Sequence, residues 1–335
     1  MKVTRSDVIN QKDGRIQVYQ LEGVREVPSF SEDLREGLTG YPKYLSPKYF
    51  YDEKGSWLFE EICNTPEYYP TDVERALLEK ESDAIIDRVR PGSILELGSG
   101  SSKKTTFLLD ACERKECHSL YLPLDVCEEM VLGAGKWLLE KYDWVDVGAL
   151  VGDFCKGFKQ LPSSEGSRLF VFLGGTIGNF EKDLAKRFLR DVRLNMNEND
   201  WLLLGADRVK DEGVLNAAYN DKRGYTAAFN LNMLEVINRE FHANFVLKRF
   251  EHHAWFNSKK SRIEMHLKCN EDHEVYIRDL GMKVQFKKGE TILTEISRKF
   301  TPESLENLLE GTGFQIDQHF EAEDGYFSLV LVRPF

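Results

Sequence analysis

Two kinds of hydrophobic pattern alternate along the chain up to residue 207. Ser93 to Leu97, Leu120 to Leu124, Ala149 to Val151, Leu169 to Leu173 and Trp201 to Leu204 are short, largely apolar runs, the mark of strands buried on both faces. Helix-like stretches lie between them. The best signalled helix begins at Thr71, where Thr71 and Glu74 form a capping-box pattern ahead of apolar Val73, Leu77, Ile85 and Val89. A βαβα alternation predicts the α/β class: a parallel sheet covered by helices on both faces, with ligands at the carboxyl ends of its strands.

After Asp207 the pattern changes. A helical stretch through Tyr219 to Arg239 precedes strand-like runs at Phe245 to Phe250 and Arg262 to Leu267, which predicts a second, α+β lobe inserted into the first. Thr301-Pro302-Glu303 opens another capped helix ending near Gly311, and Phe314 to Phe335 reads as an antiparallel pair that rejoins the sheet. The expected division is 60–206 plus 299–335 for the sheet domain, and 1–59 plus 207–298 for the second lobe.

Composition narrows the function. Of 335 residues, 45 are Lys or Arg and 56 are Asp or Glu, a net charge of −11 that argues against a nucleic-acid partner. The densest basic cluster, Lys259-Lys260-Ser261-Arg262, reads as a solvated turn between two strands. Met1 to Gly14 has no apolar core of signal-peptide length, and no apolar run is long enough to span a bilayer, so the expectation is a cytoplasmic protein without a membrane partner. The six cysteines include no Cys-x-x-Cys pair and no histidines at zinc spacing, and His252-His253 are adjacent, so their side chains diverge. Reduced thiols and no metal site are expected, and no obligate protein partner is evident.

The chemistry concentrates at the strand ends. The first strand runs into Glu96-Leu97-Gly98-Ser99-Gly100, a glycine turn that lets a ligand approach the backbone. No third glycine follows at the dinucleotide spacing, which counts against a nicotinamide cofactor and a dehydrogenase. The second strand ends at Asp125, an acceptor for both ribose hydroxyls, and the third at Asp153-Phe154, an acceptor for an exocyclic amine beside a ring that can cover adenine. The fourth opens at Gly174-Gly175-Thr176-Ile177-Gly178-Asn179. Any one of these acids has a sufficient explanation as a helix cap. Four successive strand ends in this order point to the Rossmann-like fold of class I methyltransferases, with S-adenosyl-L-methionine as cofactor.

The segments Tyr49-Phe50-Tyr51-Asp52-Glu53-Lys54-Gly55-Ser56, Leu58-Phe59-Glu60-Glu61-Ile62 and Pro66-Glu67-Tyr68-Tyr69-Pro70-Thr71 add a signature that general methyltransferases lack. With the strand-end motifs, the chain resembles the histidine Nα-methyltransferases of ergothioneine biosynthesis over nearly its whole length. The resemblance implies cofactor binding by Gly98, Lys104, Asp125, Asp153 and Phe154. It also implies an amino-acid pocket of Tyr68, Asn179, Tyr219, Met265 and the run Glu295-Ile296-Ser297, with L-histidine as substrate. Asn179 and Tyr219 suit an α-carboxylate, and Glu295 and Ser297 suit imidazole nitrogens, while Tyr51 is the candidate for steering the amine. The competing expectation is the same fold acting on another free amino acid or small amine.

Overall fold

A computed structural model describes residues 14–158, 161–162 and 165–335. The chain divides into two compact units, Val73–Arg208 with Phe300–Phe335 and the described part of Met1–Val27, and Pro28–Asp72 with Val209–Lys299.

The first unit is built on an eight-stranded sheet. Its strands lie in the order Ile16–Gln20, Val147–Val151, Leu120–Asp125, Ser93–Leu97, Arg168–Phe172, Trp201–Asp207, Phe327–Pro334, Phe314–Glu321. All are parallel except Phe327–Pro334, which runs against both neighbours. Successive residues feed opposite cores, as strand geometry requires. Leu95, Leu97, Phe170, Phe172, Leu202 and Leu204 meet the helices Lys182–Leu194 and Pro302–Glu310. Ile94, Leu169, Val171 and Leu203 meet Thr106–Arg114, Glu128–Lys141 and the long helix Tyr69–Val89. Two apolar faces explain why these strands are nearly continuous hydrophobic runs.

The second unit carries a four-stranded sheet in the order Lys43–Tyr44, Thr291–Arg298, Arg262–Cys269, Phe250–Asn257, together with the hairpin His273–Ile277/Met282–Phe286. The helix Tyr225–Phe241 lays Phe229, Met233, Leu234 and Ile237 into one core with Ile263, Met265, Leu267 and Ile292.

Three expectations need correction. Residues 1–59 do not form one piece of the second lobe, because Ile16–Gln20 pairs in parallel with Val147–Val151 as an edge strand of the first unit. Residues 60–72 belong to the second unit instead. The run Phe245 to Phe250 is not a strand: Leu247–Arg249 is a 3-10 turn and pairing starts at Phe250. The basic cluster does form the turn between Phe250–Asn257 and Arg262–Cys269, although Arg262 is buried and paired with Glu264 at 2.7 Å.

Candidate active site

In the first unit the buried strand Ser93–Leu97 leads into Gly98, with φ +70°, and Gly100, with φ +49°. A Cβ at Gly98 would stand 3.3 Å from the Phe154 ring, whereas one at Gly100 would meet nothing within 4 Å. The left-handed backbone favours glycine at both positions, the ring adds a tight contact at the first, and the second leaves the backbone open to a ligand. Between them Ser99 Oγ is buried with no hydrogen-bond partner among the described residues. An unanswered buried hydroxyl is costly, so a ligand group here has a polar atom waiting for it.

Asp125 and Asp153 cap the turns that follow them. Asp125 accepts from Gly100 N–H at 3.1 Å and from Cys127 N–H at 3.2 Å, and Asp153 accepts from Cys155 N–H at 2.8 Å. Capping does not exhaust either group, because an ionised carboxylate offers about four lone-pair directions. The Phe154 ring is braced edge-on by Phe188 at 5.6 Å and Phe172 at 5.8 Å. The open Gly100 backbone, the unanswered Ser99 hydroxyl, two carboxylates with spare acceptor capacity and a braced ring fit an adenosyl ligand.

The expected capping box at Thr71 is absent. The helix begins at Tyr69, Thr71 lies inside its first turn and donates to Cys63 Sγ at 3.3 Å, and Glu74 is fully buried. The Glu74 carboxylate accepts from Gly174 N–H at 2.7 and 2.9 Å and pairs with the Lys104 ammonium. A Cβ at Gly205 would stand 2.3 Å from Glu74 Oε1, so the strand Trp201–Asp207 carries its glycine where this carboxylate sits. Glu74 thus ties the loop after Arg168–Phe172 to the lysine that follows the glycine turn. Lys104, expected at the cofactor, is held by this pair.

Glu96, in the strand that leads into Gly98, is buried and accepts from the Tyr121 hydroxyl, which also bonds Ser102 Oγ at 2.8 Å. Burial pushes its carboxyl up to about 7, against hydrogen bonds from Thr105 and Tyr121 that lower it.

In the second unit a bulge decides which side chains meet. Thr291, Ile292 and Leu293 pair with Lys268, Leu267 and His266, but the register then skips, so that Glu295 faces Met265 and Ser297 faces Ile263. Without the extra residue Thr294, alternation would put Glu295 and Ser297 on the opposite face of the sheet. Thr294 is buried and donates to Asn230 Oδ1 at 2.7 Å. Asn230 Nδ2 in turn reaches His266 O and His252 Nδ1, each at 2.9 Å, and His252 Nε2 reaches Tyr219 O at 2.9 Å. A carbonyl only accepts, so Nε2 carries the proton and Nδ1 accepts from Asn230. Burial lowers the His252 pKa and favours this neutral form. This chain of bonds fixes Tyr219 relative to the bulge.

Glu295, Ser297 and Met265 therefore share the face that carries Tyr219, and the Tyr68 ring stands edge-on to Tyr219 at 6.1 Å. Burial pushes the Glu295 carboxyl up to about 7, opposed by the nearby Lys299 ammonium. Burial, with Tyr219, Cys63 and Glu295 close by, raises the Tyr68 phenol well above its usual value. Ile296, also expected in the pocket, registers with Glu264, so its side chain points to the other face of the sheet.

Tyr51 stands at the end of the turn Pro47–Phe50, with its ring edge-on to Phe59 and Phe229 at 5.7 Å. The next residue, Asp52, caps the helix Glu53–Cys63 through Gly55 N–H at 2.8 Å and receives Asn232 at 2.8 Å and Arg239 at 2.9 Å. Burial opposes ionisation of Asp52, but bonds from Gly55, Arg239 and Asn232 outweigh it and hold its carboxyl below the usual range. A Cβ at Gly55 would lie 1.7 Å from Phe50 O. The Asp52-Glu53-Lys54-Gly55 motif is thus a device for holding Tyr51. Asn179 is carried by the first unit, in the turn Thr176–Asn179, whereas the other expected pocket residues lie in the second.

The sheet order, with its single antiparallel strand, and the crown of glycines and carboxylates define a class I S-adenosylmethionine-dependent methyltransferase. Within that class the chain belongs to the family described as histidine-specific, SAM-dependent methyltransferases, whose model matches residues 30–334. It is 42% identical over 299 residues to a histidine N-alpha-methyltransferase of Mycolicibacterium smegmatis, covering 89% of this chain and 93% of that one. A protein of the same name from Mycobacterium tuberculosis is 40% identical over 299 residues, with the same coverage. The ergothioneine biosynthesis protein 1 of Schizosaccharomyces pombe is 31% identical over 300 residues, 85% of this chain and 38% of that longer one.

Proposed function

We propose that this chain methylates the α-amino group of L-histidine, three times in succession, giving hercynine as the first step of ergothioneine biosynthesis in the cytoplasm. The observation that carries the reading is the bulge-directed face on which Glu295, Ser297, Met265, Tyr219 and Tyr68 come together. Names of relatives that span nearly their full length support the same substrate.

When bound, S-adenosylmethionine would supply a methyl group on a sulfonium, whose sulfur would depart as a neutral thioether and so would need no acid. The chain's residues then have mainly to align the acceptor, since oriented proximity accounts for much of such a rate enhancement. Gly98, Asp125, Asp153 and Phe154 hold the adenosyl part. Lys104, anchored by Glu74, sets the loop beside it. Glu295 accepts from one imidazole nitrogen and Ser297 bonds the other, while Met265 packs on the ring and Tyr219 and Asn179 donate to the α-carboxylate. Tyr51 steers the amine nitrogen, which must shed a proton before each transfer. Tyr51 and Tyr68 offer aromatic faces to the methylated ammonium as its permanent charge develops.

The test is to supply S-adenosylmethionine and each free amino acid separately and to follow the masses of the products. Histidine gaining one, two and three methyl groups is the expected result. Another amino acid gaining methyl groups while histidine stays unmodified refutes the pocket assignment and leaves the fold and cofactor standing.

A further inference from the structure

Lys299 has no part in the pocket described above, yet it is buried among its residues. Its side chain continues the alternation of Glu295 and Ser297, and its ammonium donates to Ser297 Oγ at 2.9 Å and to Tyr219 Oη at 3.1 Å. It also stabilises the charged form of Glu295.

An ammonium is a donor only. A hydroxyl that accepts from it must send its own proton elsewhere, so Lys299 turns Ser297 into a donor toward the remaining neighbours of its oxygen. The same charge favours the ionised, acceptor-only form of Glu295 at a site where burial favours the neutral acid, which could also donate. Residues two apart on a strand are roughly 6.6–6.8 Å apart. That spacing, one fixed acceptor and one fixed donor, is complementary to a five-membered ring with one N–H and one bare nitrogen.

We propose that Lys299 is a positioning residue that sets the polarity of the side-chain subsite, and thereby selects neutral imidazole over rings of the same shape without nitrogen. The inference rests on histidine being the substrate. It assigns the discrimination to a residue that need not touch the ligand.

The test compares wild type with Lys299→Met and Lys299→Arg, using histidine and β-(2-thienyl)alanine, a ring of similar shape with no nitrogen. Wild-type turnover of histidine is measured first, so a failure of the substrate reading shows before any variant is made. Lys299→Met is expected to raise the KM for histidine about tenfold to a hundredfold, the equivalent of one charge-assisted hydrogen bond, with a much smaller change in kcat. The preference for histidine over thienylalanine should shrink by a similar factor. The acidic limb of kcat/KM should move to higher pH, because Glu295 loses the charge that lowers its pKa. Lys299→Arg should recover much of the preference. A folded Lys299→Met enzyme with the wild-type preference and pH limb overturns the proposal. If Lys299→Met does not fold, Ser297→Ala removes the oriented donor alone: it must lose the same preference, and a preference it keeps overturns the proposal equally.

Discussion

Replacing Glu74 by Gln tests whether this carboxylate organises the cofactor crown. The shape is preserved and the amide oxygen can still accept from Gly174 N–H, but the charge opposite Lys104 disappears and an amide N–H₂ group faces an ammonium. Breaking a fully buried pair costs about 3–5 kcal/mol. The Lys104 side chain is 28% exposed while that of Glu74 is 0% exposed, so water relieves part of the loss on one side only. A cost near the lower bound, about 2–3 kcal/mol, follows, which for a unit of this size lowers Tm by roughly 4–12 °C. Because the pair joins the Gly174 loop to the lysine beyond the glycine turn, affinity for S-adenosylmethionine should fall as well, read by calorimetric titration. The KM for the amino acid should change much less. A variant with the wild-type Tm and the wild-type cofactor affinity would show that the pair holds nothing in place.

Glu295→Ala should raise the KM for histidine by an amount corresponding to about 1.5–3 kcal/mol and barely affect an apolar amino acid, measured by steady-state kinetics on both. For wild type, histidine binding should weaken as pH falls through about 7, where the Glu295 carboxyl takes up its proton and loses the charge that strengthens its bond to the imidazole N–H; a binding titration between pH 6 and 8 reads this directly. Glu96, also raised to about 7, predicts a stability effect of definite sign. Between its unfolded value near 4.3 and about 7 the folded state holds the extra proton, so its contribution is fully present below that range and lost as pH rises through it. The Tm advantage of wild type over Glu96→Gln should therefore shrink on going from pH 5 to pH 8. Gly55→Ala should unfold the turn that carries Tyr51, since its Cβ overlaps Phe50 O; a variant as stable as wild type by thermal denaturation would contradict the close approach.

The parallel strands were legible because burial on both faces writes them as unbroken apolar runs, and the glycine turn because only that residue tolerates its backbone. Ile16–Gln20 escaped notice because an edge strand of five residues, only one of them buried, has almost no pattern to read. Glu74 was misread because Thr71-x-x-Glu74 is also how a helix announces its start, and only the tertiary contact with Gly174 and Lys104 tells the two apart. The amino-acid pocket came from resemblance, since no periodicity reveals that a single extra residue at Thr294 turns Glu295 and Ser297 to the inner face. Lys299 was within reach: once Glu295 and Ser297 are assigned to one face of a strand, the residue two further on belongs there too.

The most direct test of the central claim uses S-adenosylmethionine labelled with carbon-13 in the transferred methyl group, mixed with histidine and enzyme and followed by NMR. Successive signals from mono-, di- and trimethylated α-nitrogen are expected, converging on a single resonance of three equivalent methyl groups, with no labelled methyl on either imidazole nitrogen. Label appearing on a ring nitrogen, or no label on histidine while another amine acquires it, would contradict the claim.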